Sequence, residues 1–291
     1  MEHVASERIT WAKALKKEKP LLMPVAHDGL SAKLIEQAGF TACQVGGFAV
    51  AGTRFGLPDV DLTHFYERLA AVRDIVAATA LPILVDADDG YGDVKNVTQT
   101  VRSYISIGVQ GLFIEDQQPP KECGHMDDKK VVPVELMVAK VKAAVAAKEK
   151  KDFFILARTD ALQPEGVDGA IRRGEQYLKA GADGVYVEGP RSEEELKKVG
   201  KAFKGEQLAT SVLENGGKTP WLSPEEFGDL GYTMLLYPTT ILFRATHAIR
   251  KAAEDLRAGK PVDKAQAVDM DEFQEIVELR HWQQIEKAFQ P

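Results

Sequence analysis

Short apolar runs alternate with amphipathic segments along the chain, and this pattern repeats eight times. The runs have the length and β-branched content of buried parallel strands, as in PILVDADDGYG, GLFIEDQ, FFILARTD and GVYVEG. The segments between them, such as LTHFYERLAAVRDIVAAT, have helical periodicity. The pattern predicts strands over residues 21–26, 42–47, 82–88, 111–116, 153–159, 184–189, 207–212 and 233–238. Eight strand–helix units predict an α/β fold, the (β/α)8 TIM barrel.

The chain has 291 residues, which is enough for one barrel of about 250 residues and an extension. We therefore predict a single barrel domain over residues 1–291, with residues 261–291 as a C-terminal helical extension. This extension carries an apolar stripe formed by Phe273, Ile276, Val277, Trp282 and Ile285. Such a stripe must be buried, either on the chain's own barrel or on a neighbouring subunit.

Charge and composition limit the partners that we expect. The net charge is −7 and no basic stripe is visible, which argues against nucleic acid and anionic membranes. No apolar run approaches the roughly 18 residues of a membrane span, and the first residues are charged throughout. The two cysteines cannot form a disulfide framework, so a reducing cytoplasm is the expected location.

Carboxylates stand at the carboxyl ends of two successive predicted strands, at the rim where a barrel builds its active site. Asp86 and Asp88 face the same side of one strand, and Glu115 ends the next strand, about 4.8 Å away. Hard oxygen ligands without a nearby His or Cys favour Mg²⁺ or Mn²⁺. The alternative for each carboxylate is a bond to a helix N-terminus or an ion pair. For the three together we predict a metal site.

The following strands end in Arg158 and Glu188. A guanidinium group suits a ligand carboxylate or phosphate, whereas the alternative is an ion pair with Asp160 or Glu188, and both roles can coexist. Gly46 and Gly47 open a long loop, where they offer backbone N–H groups to an anionic oxygen or simply form a tight turn.

A second long loop, residues 117–133, contains the sequence KECGH. Lys121 and His125 flank Cys123, and such neighbours depress a thiol pKa and prepare the thiol for proton transfer. An incidental exposed thiol is the alternative. Because the loop lies on the predicted rim and contains Gly124 and paired prolines, we expect it to act as a lid.

Six segments together resemble the isocitrate lyase and phosphoenolpyruvate mutase superfamily: GLPD, VDADDGYG, GLFIEDQ, PKECGH, ARTDA and GGKTP. They follow one another in the expected order within residues 20–259. The CGH-bearing loop resembles the lyase branch, which includes 2-methylisocitrate lyase and 2,3-dimethylmalate lyase. The resemblance implies a Mg²⁺-dependent homotetramer whose C-terminal helix is exchanged between subunits. It also implies cleavage of the C2–C3 bond of a 2-hydroxy dicarboxylate, which gives an α-keto acid and a carboxylate.

The resemblance also implies roles for individual residues. The metal would be carried by Asp86 and Asp88, and by Glu115 through water. The substrate would be held by Gly46, Gly47, Asp59, Gly124 and Arg158, with Asp59 also lining the outer shell of the metal site. Proton transfer to the departing half would fall to Cys123, surrounded by Lys121, His125 and Glu188.

Three segments depart from the lyase pattern. Cys43 and Val45 stand where we expect the lyase Tyr and Ser, so the group that deprotonates the substrate is open. Thr210, Ser211 or Val212 replaces an Asn of the seventh strand. Thr240 belongs to a YPTT segment where the family usually has YPLS. The identity of the substrate therefore does not transfer.

Two other classes of function stay open. One is an oxaloacetate hydrolase or decarboxylase, or a phosphonopyruvate-processing enzyme, of the same superfamily. The CGH thiol argues against the phosphorus branch. The other is a non-catalytic binding module, against which the joint presence of metal ligands, loop thiol and Arg158 argues.

Overall fold

Eight parallel strands form the centre of the computed structural model, which describes residues 8–121, 129–214, 217–261 and 263–290. The strands are β1 Leu21–Pro24, β2 Cys43–Val45, β3 Ile83–Asp86, β4 Gly111–Glu115, β5 Phe154–Thr159, β6 Gly184–Val187, β7 Leu208–Ser211 and β8 Met234–Tyr237. Each predicted strand is present within one or two residues of its predicted ends. The predicted TIM-type barrel is confirmed.

The sheet runs in the order β1-β8-β7-β6-β5-β4-β3-β2 and is nearly closed. At the seam between β1 and β2, a single parallel bridge joins Val25 to Gln44. The backbone N–H of Ala26 donates a hydrogen bond to the carbonyl oxygen of Gln44 at 2.8 Å. The barrel therefore closes at the carboxyl end of β2.

Helices connect the strands and surround the barrel. They are α1 Trp11–Lys17, α2 Gly29–Gln37, α3 Gly47–Val50, α4 Phe65–Ala78, α5 Val94–Ser106, α6 Val134–Lys148, α7 Leu162–Lys179, α8 Glu193–Ala202, α9 Pro224–Asp229 and α10 Thr240–Arg257. A π-helical turn, Ala51–Phe55, follows α3. Side chains accept backbone hydrogen bonds at several helix N-termini, as Asp28 does from Ser31 and Ser192 from Glu195.

Alternate residues of each strand face opposite sides of the barrel wall. The inner face is filled by one cluster that includes Met23, Leu84, Phe113, Tyr186 and Leu236. Trp11 of α1 belongs to the same cluster, and its ring lies 5.7 Å from that of Phe154. The other face of each strand packs against the helices in two larger clusters. A residue's place in this alternation therefore decides whether it faces the barrel interior or the helix layer.

The chain divides into two compact units, residues Met1–Ile241 and Leu242–Pro291. The second unit contains most of α10, a 3₁₀ turn at Lys264–Gln266, and helices α11 Met270–Ile276 and α12 Leu279–Phe289. The sequence predicts one continuous helical pattern here, but it is broken at Glu278, which has a φ of +59°. In the predicted apolar stripe, Phe273 is 40% exposed and Trp282 is 62% exposed.

Within the described ranges, no helix combines the length and the apolar character that a membrane crossing requires.

Candidate active site

The inner face of the barrel places charged side chains together at the carboxyl ends of β3 to β6. All of them except Asp88 follow an apolar inner residue by two positions, so they point the same way. Asp86 follows Leu84, and Glu115 follows Phe113 on the neighbouring strand. Asp88 lies beyond the end of β3, and its N–H donates to Asp86. Arg158 and Glu188 follow Leu156 and Tyr186 in the same manner. The structure thus brings together the five charged rim residues that the sequence predicts on these strands.

Gly47 lies very close to the two aspartates. Its backbone N–H donates to Asp86 Oδ2 at 3.1 Å. A Cβ atom at this position would lie 3.2 Å from both Asp86 Oδ2 and Asp88 Oδ1, so a larger residue would have to displace the two carboxylates by a few tenths of an ångström. Asp88 has a φ of +48°, a conformation that non-glycine residues adopt rarely and often at functional sites. Its N–H donates to Asp86 Oδ1 at 3.0 Å.

Lys121 reaches into this group of carboxylates from the start of the second long loop. Its Nζ lies 2.5 Å from Asp88 Oδ1 and 2.8 Å from Asp59 Oδ1. Burial alone would lower the pKa of Lys121, but Asp88 and Asp59 raise it well above its usual value. Burial would raise the pKa of Asp88, but Lys121 and Arg68 lower it. Both groups are therefore charged at neutral pH.

Arg68 of α4 is a site residue that the sequence reasoning missed. Its guanidinium donates to the carbonyl oxygen of Gly47, and its Nη2 lies 3.3 Å from Asp59 Oδ1. It is 4% exposed. A signal was present, because Arg68, Ala71, Val72 and Ile75 share the buried face of the helix at a spacing of i, i+3, i+4 and i+7. An arginine at a core-facing position needs a buried partner.

Arg158 is held in an ion pair, which was the alternative that the sequence left open. Its guanidinium donates to both oxygens of Asp160, at 2.9 and 3.0 Å, and its Nε lies 3.3 Å from Glu115 Oε2. The group lies over the rings of Phe113 and Tyr186, with distances of 5.9 and 5.3 Å to the ring centroids. These contacts fix the guanidinium in one orientation.

On the far side of the rim, the hydroxyl of Ser211 in β7 donates a bifurcated hydrogen bond to the two oxygens of Glu188, at 3.1 and 3.0 Å. The sequence left Thr210, Ser211 and Val212 as candidates for this position. Leu208 and Val212, which lie two residues before and two residues after Thr210, pack in the helix layer. Thr210 therefore also points out of the barrel. Ser211 is the residue of this strand that faces the site.

The carboxylate next to Glu115 has a different environment. Asp116 faces outward into the helix layer, where its oxygens accept hydrogen bonds from Thr159 Oγ1, Tyr177 OH and the backbone N–H of Asp160 at 2.6–2.8 Å. Arg173 Nη1 lies 3.3 Å from Asp116 Oδ2, and Arg173 also binds Glu165. We call this group the outer cluster: Asp116, Thr159, Glu165, Arg173 and Tyr177.

A family model described as phosphoenolpyruvate phosphomutase matches residues 12–257. The chain belongs to this family. A 2,3-dimethylmalate lyase of Eubacterium barkeri is 39% identical over 94% of this chain and 95% of its own length. The predicted membership of the isocitrate lyase and phosphoenolpyruvate mutase superfamily is confirmed.

Two solved structures extend the comparison. An oxaloacetate acetylhydrolase in complex with the inhibitor 3,3-difluorooxalacetate matches with a TM-score of 0.89 and 30% identity, over 94% of each chain. A phosphonopyruvate hydrolase in complex with oxalate and Mg²⁺ matches with a TM-score of 0.85 and 26% identity, over 95% of this chain and 96% of that one.

Cys43 and Val45 are two positions at which we expected this chain to differ from the lyases. Neither side chain faces the site. Cys43 and Val45 pack with the helix layer, and burial raises the pKa of the Cys43 thiol to about 12. Strand alternation instead turns Gln44 and Gly46 inward, so the positions that the family resemblance marked, Cys43 and Val45, lie on the other face of the strand. Gln44 is 3% exposed, and it is the second site residue that sequence reasoning missed.

In the described part of the chain, the side chains do not form any group of three or more His, Cys, Asp or Glu residues that could hold a metal ion. Lys121 contacts the predicted ligand Asp88. The chemistry of the donors nevertheless fits a hard divalent cation. Glu115 Oε1 is buried and has no hydrogen-bond partner among the described residues. Burial, with a further contribution from Asp88, raises the pKa of Asp86, and burial raises that of Glu115 well above its usual value despite Arg158.

We call the inner-face group of ionisable side chains the rim cluster. It consists of the carboxylates Asp59, Asp86, Asp88, Glu115, Asp160 and Glu188 and the cations Arg68, Lys121, Lys129 and Arg158. Among the described residues of this group, the carboxylates outnumber the cations. A divalent cation bound to the ionised carboxylates would offset part of this excess.

Cys123, Gly124 and His125 lie outside the described residues. The two ends of their loop are described, and they pair with each other. Gln117 and Val131 form an antiparallel bridge, and the N–H of Gln118 donates to the carbonyl oxygen of Lys130 at 2.8 Å. This pairing places both ends of the loop at the end of β4, beside Glu115.

Proposed function

We propose that the protein is a divalent-metal-dependent carbon–carbon lyase. Its substrate would be a 2-hydroxy dicarboxylate of the dimethylmalate or methylisocitrate type, and its products an α-keto acid and a carboxylate. The observation that carries this proposal is the rim cluster. Its buried carboxylates outnumber its cations among the described residues, and they lie beside Arg158, whose orientation is fixed. The relationship to a 2,3-dimethylmalate lyase over nearly the whole chain supports the same chemistry.

Different members of the rim cluster would bind different groups of the keto-acid half of the substrate. A Mg²⁺ or Mn²⁺ ion held by Asp86 and Asp88, with Glu115 beside them, would polarise the oxygens of this half and stabilise developing negative charge. Arg158 would bind a substrate carboxylate, and Asp160 orients its guanidinium for this. Gly47 shapes the floor of the site, because its missing side chain leaves room beside both aspartates.

Cleavage requires two proton movements. The proton of the substrate 2-hydroxyl leaves, the C2–C3 bond breaks, and its electron pair stays on the departing half, which then takes up a proton. From the sequence motif, we assign the donation of that proton to Cys123, with Lys121, His125 and Glu188 around it. Lys121 Nζ lies 2.8 Å from Asp59, so its charge can stabilise the anionic reaction partners at the loop end of the site.

The direct test is a screen of malate, citramalate, 2,3-dimethylmalate and 2-methylisocitrate with Mg²⁺, with release of the keto acid as the readout. On the best substrate, Cys123→Ser should lower kcat by about two orders of magnitude, the usual loss for a general acid. Cys43→Ala is the matched control, because that thiol packs in the helix layer and should leave kcat unchanged. Absence of keto-acid release from all four substrates would contradict the proposal.

A second candidate is the hydrolysis or decarboxylation of oxaloacetate. The structural match to an oxaloacetate acetylhydrolase over 94% of the chain favours it. Oxalate formation from oxaloacetate would identify a hydrolase, and pyruvate with carbon dioxide would identify a decarboxylase. A normal kcat of Cys123→Ser on the best lyase substrate would also favour the decarboxylase, since its first step needs no proton from the loop.

We further propose a cytoplasmic homotetramer in which the C-terminal helices are exchanged between subunits. The exposed apolar side chains of Phe273 and Trp282 support burial in such an interface. Light scattering should then give four times the chain mass of 31.9 kDa. A monomer at micromolar concentration would contradict this assembly.

A further inference from the structure

Gln44 occupies a special place in the barrel wall. It is the middle residue of β2, and its register partner Leu84 belongs to the inner-face cluster. Its neighbours Cys43 and Val45 belong to the helix layer. The side chain of Gln44 is therefore directed into the barrel, although the residue lies on the seam where β1 and β2 meet.

The amide oxygen of this side chain is unsatisfied. Gln44 Oε1 is buried and has no hydrogen-bond partner within the described part of the chain. A buried polar atom normally has a partner, and the absence of one lowers stability. Gln110, at the other end of the barrel, shows the usual situation. Its Oε1 accepts from the N–H of Ile83 at 2.9 Å and its Nε2 donates to Gly108 at 2.6 Å.

The amide of Gln44 lies near Gly46, one residue before the backbone N–H that contacts the rim cluster. Gln44 Nε2 is 3.8 Å from the point where a Cβ of Gly46 would lie. The next residue, Gly47, donates its N–H to Asp86 at 3.1 Å. The amide therefore borders the part of the site where, on the proposed function, the keto-acid half of the substrate binds.

We propose that Gln44 is a substrate-contacting residue and that its Oε1 accepts the hydrogen bond of the substrate 2-hydroxyl group. This inference rests on the proposed function, because it assumes a 2-hydroxy acid. An unpaired acceptor needs a donor, and the hydroxyl is the donor that a 2-hydroxy acid carries beside its carboxylate. The keto-acid product has a carbonyl in that place and offers no donor. Gln44 would therefore favour the substrate over the product.

An amide does not accept a proton near neutral pH, so Gln44 would position the hydroxyl without deprotonating it. Substitution of Gln44 should consequently change affinity and kcat/KM while leaving the shape of the pH profile unchanged. This distinguishes Gln44 from a group that takes the hydroxyl proton.

Lactate and pyruvate are suitable probes for the test, because they share three carbons and a carboxylate and differ in the hydroxyl. Neither can be cleaved by the proposed reaction. Calorimetry of the Mg²⁺-loaded, full-length protein should show that Gln44→Met weakens lactate binding by about tenfold, the usual effect of losing one neutral hydrogen bond to a buried group. Pyruvate affinity should stay within about twofold of the unmodified protein.

Thr210→Val is the matched control. Thr210 also carries a buried hydroxyl oxygen without a partner among the described residues, but it faces the helix layer. Its replacement should leave both affinities unchanged. Gln44→Ala, checked by circular dichroism and thermal unfolding, serves as a second variant and should show the same selective loss for lactate.

The outcomes separate the two proposals. If the unmodified protein binds neither lactate nor pyruvate, the proposed function and the role of Gln44 both fail. If it binds both and the Gln44 variants weaken them equally, Gln44 contacts a shared oxygen, and only the inference about the hydroxyl is overturned. Unchanged lactate affinity in both folded variants would overturn it as well.

Discussion

Glu115 and Asp116 are neighbours in the chain, and both are buried carboxylates, yet they belong to two different kinds of ion cluster. Asp116 faces outward, where its oxygens receive hydrogen bonds from Thr159, Tyr177 and the backbone of Asp160. Glu115 faces inward, where one oxygen has no hydrogen-bond partner among the described residues. Among the described residues, the outer cluster has its acceptors satisfied, whereas the rim cluster contains an unsatisfied acceptor and more carboxylates than cations.

Buried charge that supports the fold and buried charge that binds a ligand can be told apart by whether the partners are complete within the protein. Removing one member of a complete cluster lowers the stability of the fold, because it leaves the others buried without partners. An incomplete cluster stores unfavourable electrostatic energy that a ligand can relieve. Substitutions in the two clusters should therefore change different quantities. Those in the rim cluster should lower activity, and those in the outer cluster should lower the free energy of unfolding.

The largest effect should come from a predicted metal ligand. Asp86→Asn should lower kcat by at least about a thousandfold, since the metal supplies several kcal/mol of charge stabilisation. The free energy of unfolding should not fall, because burial raises the pKa of this carboxyl and its charge is unfavourable in the metal-free fold. Keto-acid release and urea unfolding measure the two quantities. Retention of full activity in chelator-treated Asp86→Asn would exclude the metal site.

The outer cluster should show the reverse. Asp116→Ala should lower the free energy of unfolding by about 3–5 kcal/mol, because Thr159, Tyr177 and the backbone N–H of Asp160 would lose their buried acceptor and Arg173 would keep only Glu165 as a carboxylate partner among the described residues. KM of the folded fraction should not change, since Asp116 faces away from the site. Urea unfolding followed by fluorescence, together with steady-state kinetics, tests this. A changed KM with unchanged stability would show that the outer cluster contributes to substrate binding.

A pair of arginine variants sharpens the comparison. Arg68→Lys keeps the charge but cannot bridge the Gly47 carbonyl and Asp59 as a guanidinium does. We expect kcat/KM to fall by about 10- to 100-fold, the scale of residues that orient metal ligands. Arg173→Lys, the outer-cluster equivalent, should lower the unfolding temperature and leave kcat/KM unchanged. Equal loss of kcat/KM in both variants would contradict the distinction.

The smallest expected effect concerns pH. The raised pKa values of Asp86 and Glu115 mean that their contribution to stability is lost as pH rises from about 4 through the raised values. Divalent cations bind the deprotonated forms and should restore stability mainly above this window. At a hundredfold excess over Kd, Mg²⁺ contributes about 2.7 kcal/mol, so Tm should rise by several degrees where these carboxyls are deprotonated, and the rise should grow as pH increases. A rise in Tm that stays constant or shrinks as pH increases would contradict the assignment.

Much of the fold and of the rim cluster could be predicted from the sequence, because a strand period of two is visible in short apolar runs. That period places Asp86, Glu115 and Arg158 on one face without any knowledge of the helices. The same rule makes β2 hard to interpret, since a register error of one residue exchanges the two faces. This strand has only three residues, too few to show which of them face the barrel interior, and Gln44 was not singled out.

Other features depend on contacts that no local pattern encodes. Arg68 could have been found as a charged residue on the apolar face of α4, but its partners are remote in sequence. The position of Lys121 between Asp59 and Asp88 joins three loops. No glycine or proline marks the break between α11 and α12 at Glu278, and the helical spacing of apolar residues continues across it.

The central claim is that the rim cluster holds one divalent cation and uses it for carbon–carbon cleavage. The most direct measurement is a titration of chelator-treated protein with Mn²⁺, in which bound metal and keto-acid release are recorded on the same samples. The account predicts one high-affinity Mn²⁺ per chain, release of keto acid in proportion to occupancy, and loss of both in Asp86→Asn. Full keto-acid release by metal-free protein, or tight binding retained in Asp86→Asn, would contradict it.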